Sequence, residues 1–336
     1  RAKEDYLMGI NFSRLLTLKY GNSISNYLGT NYAVVSVGRV MTCVLGMVVR
    51  REREIREFIE TPFYRILATI GEQGQTFEGE WRAVKGSKWF ESFDLYKENG
   101  FKEREKAQQV IDYLTQEQPV IGQIASIEKK KEKKNPPLLF NLAELQNECS
   151  KRFKISPDET LKIAQELYEK KLTTYPRTDA RVLSTAVAKE IHKNLNGLMK
   201  YEPAVLFLQE IVGFGSHKGL AKTRYVNDKQ ITDHYAIIPT GQGLGALNSL
   251  SATSHKVYDL IVRRFLSIFY PPAVYQKVAI ISKIKEESFF SNFKVLAEEG
   301  YLKVAGVPQG KRSVNKGKSR TDANEKEEDA DEDIDF

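Results

Sequence analysis

One proline restricts this chain more than any other residue does. Ser156-Pro157-Asp158-Glu159 opens a helix, with serine at the N-cap, proline at the first helical position and glutamate in capping-box order. Leu161, Ala164, Leu167 and Tyr168 carry its apolar period on to Lys170-Lys171. Pro176 then prevents any continuation, because its ring removes a backbone donor, clashes with the preceding turn and biases Tyr175 away from the α region. Residues 172–179, Leu-Thr-Thr-Tyr-Pro-Arg-Thr-Asp, must therefore leave the helix as a stiff extended turn. That turn presents a phenol, a guanidinium, hydroxyls and a carboxylate within a few residues. A phenol beside an arginine suits nucleophilic attack on an anionic phosphate. The chain holds sixteen tyrosines, however, and a half-buried ring in a helix-to-loop corner is the ordinary outcome for each.

The surroundings of the turn predict a helical unit. Asn141 is placed to cap a helix bearing Leu142, Leu145, Cys149 and Phe153, and its short connection to the Ser156 helix gives a helix-turn-helix-like pair. Ser184 caps a further helix through Ile191. Residues 198–228 carry little periodicity, with Gly213, Gly215 and Gly219 marking loops. Asp233-His234-Tyr235-Ala236-Ile237-Ile238-Pro239-Thr240 places a histidine before an apolar strand.

Before this unit, residues 1–20 read as helical with Leu15, Leu16 and Leu18 as core positions. A second helix starts near Gly38 with Ser36 as N-cap, and Met41, Val44, Leu45, Val48, Ile55 and Phe58 line one face. Arg39 falls in its first turn, where a cation opposes the helix dipole unless an anion is bound there. From Thr61 the pattern becomes strand-like over 63–70, 75–84 and 93–96, then helical over 101–116, then strand-like again over 120–127. Lys129-Lys130-Lys131-Glu132-Lys133-Lys134-Asn135-Pro136-Pro137 reads as a charged connector. Val257–Phe269 predicts a helix with Arg263-Arg264 on its outer face, stopped by Pro271-Pro272, and residues 273–284 and 288–304 return to strands. The predicted class is α+β and multidomain. A helical base spans 1–60, a β-rich hinge domain spans 61–132 and 243–306, a helical tyrosine domain at 133–242 splits that hinge, and a disordered basic-then-acidic tail covers 307–336.

Charge points to a polyanionic partner. The chain carries +7, but residues 325–336 hold eight acids and one base, which leaves +14 on residues 1–324. No stretch approaches the length of a membrane span. Cys43 and Cys149 are too few for a disulfide framework, and a reducing, cytoplasmic setting follows. His192, His217, His234 and His255 show no metal-ligand spacing, and Asp329-Ala330-Asp331 has no apolar strand to hold it, so no metal site is predicted in the chain. A chain that opens Arg-Ala-Lys-Glu-Asp reads as an interior fragment.

Three stretches, in this order, resemble the type IA DNA topoisomerases: Ser36-x-Gly38-Arg39-Val40, the turn 172–179, and Asp233-His234-x-Ala236-Ile237-Ile238-Pro239-Thr240. Pro136-Pro137-Leu138-Leu139-Phe140 adds to the match, and Pro176 makes it similar to the topoisomerase III branch. The resemblance implies an arch in which a β-rich hinge is split by the tyrosine domain. Tyr175 would form a 5′-phosphotyrosyl link to a single strand, and Arg177 would stabilise charge on the phosphate. His234 would join the proton relay, while Arg39, Thr178 and Asp179 would contact DNA. Strand passage and religation would need no ATP. Mg²⁺ would be bound mainly by a domain outside this chain. Met41, Cys43 and Ala180 depart from the family's usual Gln, Pro and Ser. A tyrosine recombinase would want a histidine before its tyrosine, and none precedes Tyr175. The alternative is a catalytically incomplete module that binds single-stranded DNA.

Overall fold

The computed structural model describes residues 2–72 and 75–306. In chain order its elements are α1 (Ala2–Leu28), α2 (Arg39–Arg56), β1 (Leu67–Glu72), β2 (Gln75–Arg82), β3 (Leu95–Lys97), β4 (Gly100–Phe101), α3 (Arg104–Leu114), β5 (Gln123–Lys134), α4 (Leu142–Phe153), α5 (Pro157–Glu169), α6 (Thr185–Leu198), α7 (Val205–Phe214), α8 (Ala252–Ser267), β6 (Ala273–Ile284), β7 (Glu287–Glu298) and α9 (Leu302–Ala305). The class is α+β, as expected. The described residues form two compact units, one of 2–68, 80–121 and 285–287, the other of 69–79, 122–284 and 288–306.

In the first unit the segment after α1 runs back along that helix. Ser13 Oγ accepts from the Val37 N–H at 2.9 Å and Thr17 Oγ1 accepts from the Val35 N–H at 2.9 Å. The N-cap of α2 is Gly38, in extended conformation and without a side-chain cap, so Ser36 does not cap it. A cap must immediately precede the first helical residue for its oxygen to reach the free N–H groups. Leu15 and Leu18 are not core residues either: they are 57% and 84% exposed, and α2 buries no residue. The apolar periodicity exists on both helices, but no described element covers it. The core of this unit lies around Trp81, which stacks on Phe101 at 5.1 Å and meets Trp89 edge-on, while α3 buries Ala107, Val110 and Leu114. The Glu287 carboxylate is wholly buried. It accepts from Trp81 Nε1 (2.6 Å), Ser87 Oγ (2.7 Å) and the Lys88 N–H (2.8 Å).

The second unit contains most of a five-stranded sheet, in the order β1-β2-β7-β6-β5, and a helical core. The run 129–134 is not a connector: β5 extends through it and pairs antiparallel with β6, from Gln123↔Lys283 to Lys134↔Ala273. Lysine has low strand propensity, but on an edge strand it keeps its ammonium in water while the backbone completes the ladder. Residues 299–304, expected as strand, form a turn and the start of α9.

Helices α4, α5, α6, α7 and α8 enclose a core that includes Phe140, Leu145, Leu167, Leu172, Leu183 and Phe265. The three expected caps form. Asn141 accepts from the Glu144 N–H, Ser156 from the Glu159 N–H and Ser184 from the Val187 N–H, although the Ser184 helix runs on to Leu198. Residues 198–228 are more ordered than their glycines suggest, since Gly213 lies inside α7 and Gly215 is its left-handed C-cap. Arg264 does not face outward. Its side chain is only 10% exposed, its guanidinium lies 4.2 Å over the Phe140 ring, and it donates to the Leu138 carbonyl at 3.0 Å. A planar, weakly hydrated guanidinium tolerates such stacking where an ammonium would not. The basic-then-acidic tail expected at 307–336, with its Asp-Ala-Asp, lies outside the described residues.

Candidate active site

Residues 172–179 and 233–240 form one structural unit. Pro176 keeps the first segment extended, so its backbone groups need partners outside a helix. They find them in the second segment: Thr174 N–H donates to the Ile238 carbonyl (3.0 Å), and Thr240 N–H donates to the Leu172 carbonyl (3.0 Å). The Thr174 hydroxyl strengthens the pairing, donating to the Ala236 carbonyl (3.0 Å) and accepting from the Ile238 N–H (2.9 Å). The second segment is itself tied to the helical core through Ile237 N–H to Phe140 and Ala236 N–H to Val182. Gly243, at φ +67, lets the chain turn directly over Lys170; a Cβ there would collide with the Lys170 carbonyl oxygen.

This pairing brings Tyr175 and His234 together from 59 positions apart in the chain. Their ring centroids are 4.4 Å apart with a 42° tilt, and the Tyr168 ring stands edge-on to Tyr175 at 5.4 Å. A cleft of about 340 Å³ opens at these rings, lined also by Lys171, Thr173, Tyr235 and Gln242. Burial pushes the Tyr235 phenol up. Tyr175 itself is half-buried, with its ring held between two aromatic neighbours, while His234 is exposed.

The other expected site residues are placed differently. Arg177 is exposed and lines a separate depression along α5 with Asp158, Lys162, Gln165 and Glu169, not the cleft that holds the two rings. Thr178 is buried; its hydroxyl donates to the His234 carbonyl at 2.9 Å and accepts from the Ala180 N–H at 3.1 Å. It thereby anchors the backbone that carries His234. Asp179 has an exposed side chain, and its carbonyl accepts from Asn141 Nδ2 at 3.1 Å. Arg39 is the first residue of α2, in the other unit. Among the described residues no group of three or more His, Cys, Asp or Glu side chains converges as a metal site.

From sequence, Tyr168 belongs only to the apolar face of α5, and nothing local singles out Lys171 or Gln242. The i, i+7 spacing of Tyr168 and Tyr175 was available as a signal only if the break at Pro176 folded the second ring back. Lys171 and Gln242 carry no local mark. They meet at the cleft because the two segments pair.

A family model described as DNA topoisomerase matches residues 1–332. The chain is 35% identical over 307 residues to DNA topoisomerase 3 of Bacillus subtilis (strain 168), covering 90% of this chain and 37% of that protein. It is 34% identical over 308 residues to DNA topoisomerase 3 of Salmonella typhimurium, covering 91% and 44%. The chain thus spans less than half the length of these relatives. Among solved structures, full-length topoisomerase I from Thermotoga maritima matches with a TM-score of 0.55 and 23% identity, over 93% of this chain and 47% of that one. That likeness concerns the fold.

Proposed function

The chain belongs to the type IA DNA topoisomerase family, and from that premise we propose that it carries the nucleophile of a topoisomerase III-like enzyme that cuts and reseals one DNA strand. The carrying observation is the Tyr175–His234 pair, 4.4 Å between ring centroids at the mouth of an open cleft. The Tyr175 phenolic oxygen attacks the phosphorus of a single-strand phosphodiester. A new P–O bond forms, the bond to the 3′ oxygen breaks, and the strand remains on the tyrosine as a 5′-phosphotyrosyl ester. The phenol proton leaves by way of His234, and the departing 3′ oxygen takes up a proton to become a hydroxyl. Arg177, two residues along the same turn and exposed outside the cleft, turns toward the bound phosphate to steady its charge, and Arg39 and Asp179 contact the strand. Because the ester conserves the energy of the broken bond, attack by the 3′-hydroxyl reseals the strand without ATP. Strand passage occurs while the gap is open, as the β-rich hinge regions flex on either side of the helical core that α4, α5, α6, α7 and α8 enclose.

The described residues do not fit a Mg²⁺ site, since no acidic cluster converges among them. Any magnesium the reaction uses is held by other parts of the whole protein, and no step above runs through it. The test is Tyr175→Phe in the complete protein. It should abolish covalent capture of a labelled oligonucleotide after denaturation while single-strand binding survives. A covalent adduct retained by that variant would overturn the assignment. Loss of the adduct in the parent chain alone, with binding intact, would favour the binding-module reading for this chain.

A further inference from the structure

The alternation of β5 sorts its charges by face. Side chains of a strand point alternately to opposite sides, and residues paired across an antiparallel ladder share a side. On one face Lys130 pairs with Glu128 (3.1 Å), and Glu132 is held by Lys277 (2.8 Å) and Lys294 (3.3 Å), with Lys294 also 4.5 Å over the Tyr275 ring. That face is charge-compensated. Lys129, Lys131 and Lys133 stand on the other face, opposite Val278, Gln276 and Val274 of β6. All three are exposed, and none has an ion-pair partner among the described residues.

Beyond β6 on this same face comes β7, where alternation from Lys294 places Phe293 and Val295, both exposed. Phe293 is braced edge-on by Phe77 at 5.9 Å. A row of cations at about 6.6 Å intervals therefore runs beside half-buried Val278 and Gln276 of β6, with Val274 buried at the far end, and an aromatic ring lies about two strand spacings away, or roughly 9.5 Å. A cationic track flanked by an aromatic platform is the pairing that holds a nucleic-acid single strand: phosphates on the cations, bases on the apolar surface. Edge protection alone would also place lysines on β5, but it is indifferent to their face and needs no exposed ring.

We propose that this sheet face, with Lys129, Lys131, Lys133 and Phe293, is a single-stranded nucleic-acid binding surface that shares no residue with the Tyr175 cleft. It rests on the proposed function only for the choice of ligand. The strand runs along β5 with successive phosphates on the three ammoniums and its bases turned across β6 toward Phe293. A protein of this composition would then hold a strand at a place where it does not cut it.

The test is fluorescence anisotropy of a labelled oligothymidylate with the full chain, across a series of salt concentrations. Each phosphate neutralised on a single strand contributes about 0.7 to the log–log salt slope. The variant K129Q/K131Q/K133Q should therefore reduce the slope by about 2 and weaken binding roughly tenfold at low salt. Phe293→Ala should weaken binding about fivefold or more with the slope unchanged. Lys130→Gln, on the paired face of the same strand, should leave slope and affinity as they are, and the Tyr175 adduct is scored separately after denaturation, so failure of the covalent chemistry and failure of the sheet surface are read apart. A triple variant whose slope stays within about 0.5 of the parent would overturn the proposal. So would equal displacement of the strand by a duplex of the same length.

Discussion

Replacing Thr178 with valine separates two roles for that residue. The substitution is nearly isosteric, so it leaves no cavity, but it removes both hydrogen bonds of a hydroxyl that is only 6% exposed. The Ala180 N–H is buried and loses its acceptor at 3.1 Å, and the His234 carbonyl loses its donor at 2.9 Å. An unsatisfied buried donor costs about 1–3 kcal/mol and the second bond about 1 kcal/mol, so the total is about 2–4 kcal/mol. Urea unfolding followed by far-UV circular dichroism should show a midpoint about 1 M lower. Thr178→Ser keeps both bonds and sheds one methyl group, which costs about 1 kcal/mol. Because His234 hangs from the same backbone, the valine variant should also slow formation of the Tyr175 adduct more than the serine variant does. If valine and serine prove equally stable, and valine instead weakens oligonucleotide binding, then the hydroxyl faces the nucleic acid and the structural reasoning fails.

Two further outcomes follow from buried groups elsewhere. Glu287→Gln should destabilise the first unit by about 2–4 kcal/mol, because an amide nitrogen would then face one of the three donors now aimed at the carboxylate; thermal melting read by the fluorescence of Trp81 and Trp89 checks this, and an unchanged melt would refute it. Burial pushes the Cys149 thiol up to about 11, so its thiolate is scarce below that pH. At pH 8 a thiol reagent should therefore label the exposed Cys43 and leave Cys149 untouched until denaturant is added, with Cys149 labelling in the native protein rising only as pH approaches 11.

Much of the helical unit could be read from sequence because its determinants are local. A cap oxygen reaches an N–H three residues away, as at Asn141, Ser156 and Ser184, and a proline acts on the turn that precedes it. Those same rules placed Tyr175 on a stiff turn at the end of α5 and so made it conspicuous. They failed at Ser36 because Gly38, extended and adjacent to the helix, took the cap position.

What a single sequence could not supply was the pairing between distant segments. The approach of His234 to Tyr175, the buried hydroxyl of Thr178 and the separation of Arg177 from the cleft all depend on which backbone groups of 172–179 meet those of 233–240. Ladder energetics depend on partners, not on residue type alone, which is also why a run of lysines became strand β5 instead of a linker. Arg264 is buried for a similar reason: helix α8 is covered by the 138–140 segment on a side that its own periodicity left polar. Local residue pattern was enough to set the starts of the helices capped by Asn141, Ser156 and Ser184, the stop of the Ser156 helix, and the stiff tyrosine-bearing turn that follows. Which side chains share a cleft, and which of the charges on β5 are left uncompensated, follows instead from contacts between residues that lie far apart along the chain.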